Sequence, residues 1–197
     1  MRHFVYFSNS ASTSGKALSK YAEGGLMKAG RMDIAIHSFI QGVFLSHSFR
    51  KDVVFHFVFY GMPDPPKHIQ IQVTDDLEIS KKDVGKLIQK MLYKYHEGEK
   101  NEVFPKCFVE KKSFMNVIEE LIDDGNDIFI LDKNGEDIRK AKIPKNCIFV
   151  LGDHEGLPKK EMKQLKKEVK TVSIGDKMYF ASQTVAVVNN ELDYRGI

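Results

Sequence analysis

Cys147-Ile148-Phe149-Val150-Leu151-Gly152-Asp153-His154-Glu155-Gly156-Leu157-Pro158 is the stretch from which the architecture can be read. Five consecutive apolar residues fit a strand buried on both faces, as parallel strands under helices are. The chain then turns through two glycines, which permit positive φ and close approach of a ligand to the backbone. Proline near the first position of the following segment suits a helix start. Upstream, residues 128–131 form another short apolar run, and downstream 169–174 form a third. Each is separated from the next by a loop or helix long enough for a crossover, so the second half predicts an α/β protein with a parallel sheet covered by helices on both faces.

Working outward, β-branched and aromatic runs at 3–7, 53–60, 69–73 and 106–109 predict further strands. Ser80 with Asp83 three residues on reads as a capping box opening a helix that buries Val84, Leu87, Ile88, Met91, Leu92 and Tyr95. Ser113 opens another, with Phe114, Val117, Ile118, Leu121 and Ile122 on one face and Gly125 as the terminating residue. Residues 32–48 are apolar on most sides and predict a sandwiched helix, and 178–193 predict a final one. Residues 8–30, rich in Ser, Gly and Lys, read as a mobile linker.

At 197 residues and 42% hydrophobic content, one domain spanning 1–197 is expected. No run approaches the roughly 20 apolar residues of a membrane span. The first residues read as a strand followed by a polar loop rather than a cleavage site, which points to the cytoplasm. Cys107 and Cys147 sit in apolar runs without metal-ligand spacing and are expected buried and reduced. A formal charge of +3 and a pI near 8.7 suit an RNA partner but argue against a dedicated nucleic-acid coat protein.

Ligands of open α/β sheets bind beyond the carboxyl ends of parallel strands, so the loops after Leu131, Leu151 and Ile174 are the places to look. The spacing of Gly152 and Gly156 is not a dinucleotide fingerprint, and no phosphate-binding lysine and hydroxyl accompany it. Ser10 to Ala17 mimics a phosphate loop, but Ser10 replaces its first glycine and Ala17 its metal-binding hydroxyl. His154 has no partner at ligand spacing, so no metal is predicted. Six lysines between Lys159 and Lys170, offset only by Glu161 and Glu168, make a solvated face or an RNA-backbone contact. Arg31 with Asp33 and Arg50 with Asp52 place an arginine beside a carboxylate at the two ends of the 32–48 helix. Such pairs serve as structural ion pairs, or as a phosphate-holding arginine with a proton-accepting carboxylate. Sixteen helical steps span about 24 Å, so within one chain the two groups would not meet on one nucleotide. The proline-rich Gly61 to Pro66 is a rigid turn.

Gly30-Arg31-Met32-Asp33, Ser46-His47-Ser48-Phe49-Arg50-Lys51-Asp52, Tyr60-Gly61-Met62-Pro63-Asp64-Pro65-Pro66, Asn134-Gly135-Glu136-Asp137 and Leu151-Gly152-Asp153-His154-Glu155-Gly156, in this order along the chain, resemble the archaeal tRNA (pseudouridine-54) N1-methyltransferases of the SPOUT superfamily. The resemblance implies a mostly parallel sheet with a C-terminal trefoil knot, a homodimer and a tRNA partner. It also implies S-adenosylmethionine held by Leu131, Leu151, Gly152, Gly156, Ile174, Gly175, Asp176, Lys177, Met178, Tyr179 and Thr184. Family members carry a Ser-Leu-Ser-Pro type run where this chain has Ser173-Ile174-Gly175-Asp176, and a cysteine where it has Thr184.

The implied reaction is direct methyl displacement by N1 of pseudouridine, with Asp33 the first candidate base, Asp52 the second, and Arg31 and Arg50 holding phosphate or the base edge. Three alternatives stand beside it: the same chemistry on ribosomal RNA, a non-catalytic knotted RNA-binding protein of ribosome assembly, and a nucleotide-binding enzyme using the Ser10 to Ala17 loop.

Overall fold

The computed structural model describes residues 1–19, 25–77, 79–165 and 169–197. Its centre is β1 (Arg2–Ser8), which pairs in parallel with β2 (Val53–Phe59) on one side and with β7 (Cys147–Gly152) on the other. Beyond β7 lie β6 (Asp127–Asp137) and β8 (Lys170–Ser173), both parallel. Beyond β2, β3 (Lys67–Gln72), β5 (Cys107–Glu110) and β4 (Asn101–Phe104) continue the sheet with antiparallel pairings. The order is β4-β5-β3-β2-β1-β7-β6-β8. The expected α/β class and the helices on both faces are present, with an antiparallel edge added.

Alternation along β1 divides the core in two. Phe4 and Tyr6 face α2 (Met32–Val43), α3 (Val84–Tyr93) and α6 (Ala181–Tyr194), where Met32, Phe39, Met91, Val185 and Val188 are buried. Val5 and Phe7 face α4 (Phe114–Asp123) and α5 (Lys159–Leu165) across Phe114, Ile118 and Met162. Cys107 and Cys147 are buried and unbridged, and burial pushes both thiols up to about 11. No helix among the described residues is long and apolar enough to cross a membrane.

Several boundaries differ from expectation. α2 stops at Val43 rather than Ser48: Phe44 turns extended, forms a bridge to Phe49 and packs its ring 4.9 Å from it, and Arg50 N–H donates to the Val43 carbonyl. Ser46, His47 and Ser48 prefer such turns to a helix interior. α3 starts at Val84, because the Ser80 hydroxyl donates to the Asp83 carboxylate at 2.5 Å instead of capping backbone N–H groups. The last helix starts at Ala181 rather than Met178. β6 extends to Asp137 through an irregularity between Leu131 and Glu136. The expected linker is in large part packed structure. Ala11, Ser12 and Thr13 are buried, Ser12 N–H donates to the Ala29 carbonyl, and α1 (Gly25–Lys28) follows. Residues 20–24 of that linker, and Lys166, Lys167 and Glu168 of the lysine segment, lie outside the described residues.

Candidate active site

The parallel strands β2, β1, β7 and β8 end on one side of the sheet, and there the irregular stretch of β6, the loops leaving β7 and β8 and the start of α6 meet around a cavity of about 840 Å³. Its walls are apolar where Ile130, Leu131, Leu151, Leu157 and Met162 face it, as small-molecule sites generally are. Of the residues expected to hold the cofactor, Leu131, Leu151, Gly152, Gly156, Met178, Tyr179 and Thr184 line this cavity. Ile174, Gly175 and Lys177 line a smaller adjoining pocket that shares Leu131, Met178, Tyr179 and Thr184. Asp176 is exposed and lines neither.

The loop after β7 is fixed by contacts no local pattern reveals. Asp153 has a fully buried side chain; one carboxylate oxygen accepts the Glu155 N–H at 2.8 Å and the other the Ser8 hydroxyl at 2.5 Å. Ser8 in turn accepts the Ala11 N–H, and the Asp153 N–H donates to the Phe7 carbonyl. The turn is therefore riveted to the end of β1. It closes so tightly that a Cβ on Gly152 would lie 2.3 Å from the Gly156 carbonyl carbon, and Gly156 adopts φ of +82°. After β8, the Ser173 hydroxyl donates to the Gly175 carbonyl and accepts the Gly175 N–H, holding a tight turn.

Arg31 and Asp33 open α2 beside the cavity, into which their neighbour Ile34 projects. Arg31, at φ of +59°, donates from Nε and Nη2 to the two Asp33 carboxylate oxygens at 3.1 and 3.0 Å. These bonds hold the Asp33 carboxyl below its ordinary range. Close by, the Tyr6 hydroxyl is buried without a hydrogen-bond partner among the described residues. Burial, and then the negative fields of Asp153 and Asp33, raise its ionisation far above normal, so it stays a neutral phenol.

Arg50 and Asp52 are not brought to this site. Arg50 donates to both Asp193 oxygens at 2.7 and 2.5 Å, and Asp52 pairs at 3.1 Å with Arg2, which also reaches Asp193. This cluster sits at the opposite end of β1, about 20 Å away by strand length. Sequence reasoning missed Asp153, Ser8 and Tyr6. The available signal was the position of Ser8 at the end of the central strand and of Asp153 between the two glycines.

No group of three or more metal-ligating side chains occurs among the described residues. The lining fits S-adenosylmethionine: apolar walls suit a flat adenine ring, and the turn that closes Gly152 against Gly156 is too tight for a side chain at Gly152 and leaves its backbone groups to meet polar atoms.

The family model described as "Putative SAM-dependent RNA methyltransferase" matches residues 1–197. The tRNA (pseudouridine(54)-N(1))-methyltransferase of Methanocaldococcus jannaschii is 30% identical over 100% of this chain and 98% of its own. The protein of that name from Methanocella arvoryzae is 36% identical over 99% and 100%. Among solved structures, Archaeoglobus fulgidus Nep1 bound to S-adenosylhomocysteine shares the fold, with a TM-score of 0.65 at 14% identity over 100% of this chain and 99% of that one. The chain belongs to the S-adenosylmethionine-dependent RNA methyltransferase family that includes the tRNA (pseudouridine(54)-N(1))-methyltransferases.

Proposed function

We infer that this protein methylates N1 of pseudouridine at position 54 of the tRNA T-loop, using S-adenosylmethionine. The observation that carries the reading is the cavity at the strand ends, walled by the irregular stretch of β6 and the loops after β7 and β8 and flanked by the Arg31–Asp33 pair, in a chain whose residues 1–197 match this family. Leu131, Leu151, Gly152, Gly156, Met178, Tyr179 and Thr184, which line the cavity, would hold the cofactor, with Ile174, Gly175 and Lys177 of the adjoining pocket beside them. When bound, the cofactor supplies an electrophilic sulfonium methyl group.

The chain's own work is positioning and proton removal. A carboxylate oxygen of Asp33 would take the proton that leaves N1 of pseudouridine as that nitrogen receives the methyl group. Because Arg31 keeps Asp33 ionised, the carboxylate is ready to accept; a phosphate or base edge that draws Arg31 away raises its basicity. Holding nucleophile and methyl in line lowers the barrier by about 7 to 11 kcal/mol in favourable cases.

Family resemblance further supports a homodimer and a trefoil knot. Arg50 and Asp52 serve the site only from a second subunit. The setting is the cytoplasm, where the RNA substrate is modified.

The test is methyl transfer to two tRNA transcripts identical except for pseudouridine or uridine at position 54. Transfer only to the pseudouridine transcript, reduced about 10²- to 10⁴-fold in Asp33→Asn, is expected. Equal transfer to both, or none to either, sinks the reading; full activity of the variant removes Asp33 alone.

A further inference from the structure

Three large apolar residues in a row, Met178, Tyr179 and Phe180, stand at the cavity mouth with 85%, 42% and 75% of their surface exposed. Exposed apolar patches of this kind mark contact surfaces. The Phe180 backbone is rigid: its N–H donates to Gln183 Oε1 at 3.0 Å, and its carbonyl accepts both the Thr184 N–H at 2.9 Å and the Thr184 hydroxyl at 3.1 Å. The backbone that carries the ring is thus locked at the start of α6 while the ring itself stands in solvent. Elsewhere around the mouth stand Lys133 from the irregular stretch of β6 and Lys159 and Lys163 from α5. Among the described residues none of these three lysines is paired with a carboxylate. The antiparallel edge differs, since Lys67, Lys100, Lys111 and Lys112 are all ion-paired there.

An aromatic surface bordered by unpaired lysines is a poor protein contact, because lysine is depleted from such interfaces. It matches a single-stranded or looped RNA, whose bases stack on aromatic rings while cations take the phosphates.

We propose that this rim is the RNA landing site: Phe180 stacks on a base of the substrate loop beside the extruded nucleotide, and Lys159 and Lys163 hold the flanking phosphates. The proposal rests on RNA methylation being the function and adds which residues receive the RNA. Phe180 is a substrate-positioning residue here, not a base or nucleophile.

The experiment measures binding of a pseudouridine-containing tRNA transcript to the full chain by fluorescence anisotropy over a salt series, with RNA KM and kcat followed in parallel. Phe180→Ala should weaken binding about 5- to 150-fold, the range for loss of one stacked base, and raise KM more than it lowers kcat. Phe180→Tyr should restore affinity to within about threefold. Lys159→Gln combined with Lys163→Gln should reduce the slope of log affinity against log salt by about 1.4 to 1.8. The proposal falls if both sets bind RNA with wild-type affinity and slope. It falls equally if Phe180→Ala leaves RNA binding intact and instead halves the particle mass, which would make the patch a subunit contact. A wild-type protein that binds RNA through Phe180 yet transfers no methyl group would sink the enzymatic reading and leave the landing site standing.

Discussion

On the α4 face of the sheet, His3, His56, His68 and Glu110 form one hydrogen-bonded line across β1, β2, β3 and β5, each link 3.0 Å long. Lys112 closes the line at 2.9 Å from Glu110. The ionised Glu110 accepts from His68 Nδ1, so His68 Nε2 must accept from His56, and His56 Nε2 from His3; one carboxylate sets the tautomer of three neutral rings. At the strand ends, by contrast, a buried Tyr6 hydroxyl and the lysines Lys133, Lys159 and Lys163 have no partner among the described residues, and aromatic side chains face water. A buried polar network that satisfies every member rigidifies a fold. A buried group left unsatisfied costs stability, and the Tyr6 hydroxyl beside the cavity fits a surface shaped for ligands.

The comparison predicts that the two regions fail separately. Gly152→Ala forces a Cβ into the Gly156 backbone and opens the turn, so S-adenosylmethionine affinity in a calorimetric titration should drop about 100-fold or more, roughly 3 kcal/mol, with thermal stability little changed. Glu110→Gln should do the reverse. Removing the charge that anchors His68 and Lys112 should cost about 2 kcal/mol, or roughly 4 to 8 °C in Tm, while cofactor affinity stays at the wild-type value. If Glu110→Gln weakens cofactor binding tenfold, the regions are coupled and the division is wrong.

Acid should find the histidine line before the cavity. Burial lowers the His3 ring to about 4, and burial first, then neighbouring positive charge, lowers His56; in His68 burial outweighs the opposing pull of Glu110. Below the ordinary value near 6.5 the unfolded chain binds protons that the folded one refuses, so stability falls as pH falls. Well below 6.5 the three together remove up to about 4 kcal/mol per pH unit. Burial alone would raise Glu110, but hydrogen bonds from His68 and Lys112 bring it down to about 2, so its contribution is lost later, from about 4.5 downward. Urea midpoints should be flat from pH 8 to 7 and drop steeply toward 5; a flat profile to pH 5 would show that the folded rings take up protons.

The same division governs what could be read from residue order. Cys147–Gly152 and its neighbours announce buried parallel strands because five apolar residues and a glycine turn are local signals, and the cavity lies where those strands end. β4 was missed because Asn101 and Glu102 sit in a half-buried edge strand whose pairing, not its composition, makes it one. The role of Asp153 depends on Ser8, 145 residues away, and the histidine line exists only once strands distant in sequence are in register. Arg50 with Asp52 looked like the twin of Arg31 with Asp33, yet each prefers another partner supplied by a chain terminus: Asp193 for one, Arg2 for the other.

The smallest expected effect concerns Thr184, which stands where the resemblance implies a cysteine. Its side chain lines the cavity, but its hydroxyl proton is committed to the Phe180 carbonyl, which also receives the Thr184 N–H. Thr184→Cys exchanges that bond for a weaker S–H donor and leaves the backbone bond in place, so the loss lies at the low end of the roughly 0.5 to 1.5 kcal/mol of a neutral hydrogen bond. Cofactor affinity should stay within about threefold of wild type and Tm within about 2 °C. A tenfold change in affinity, in either direction, would mean that this side chain contacts the cofactor directly. The committed hydroxyl would then have to leave Phe180 when the cofactor enters, which would tie cofactor binding to the position of the aromatic rim.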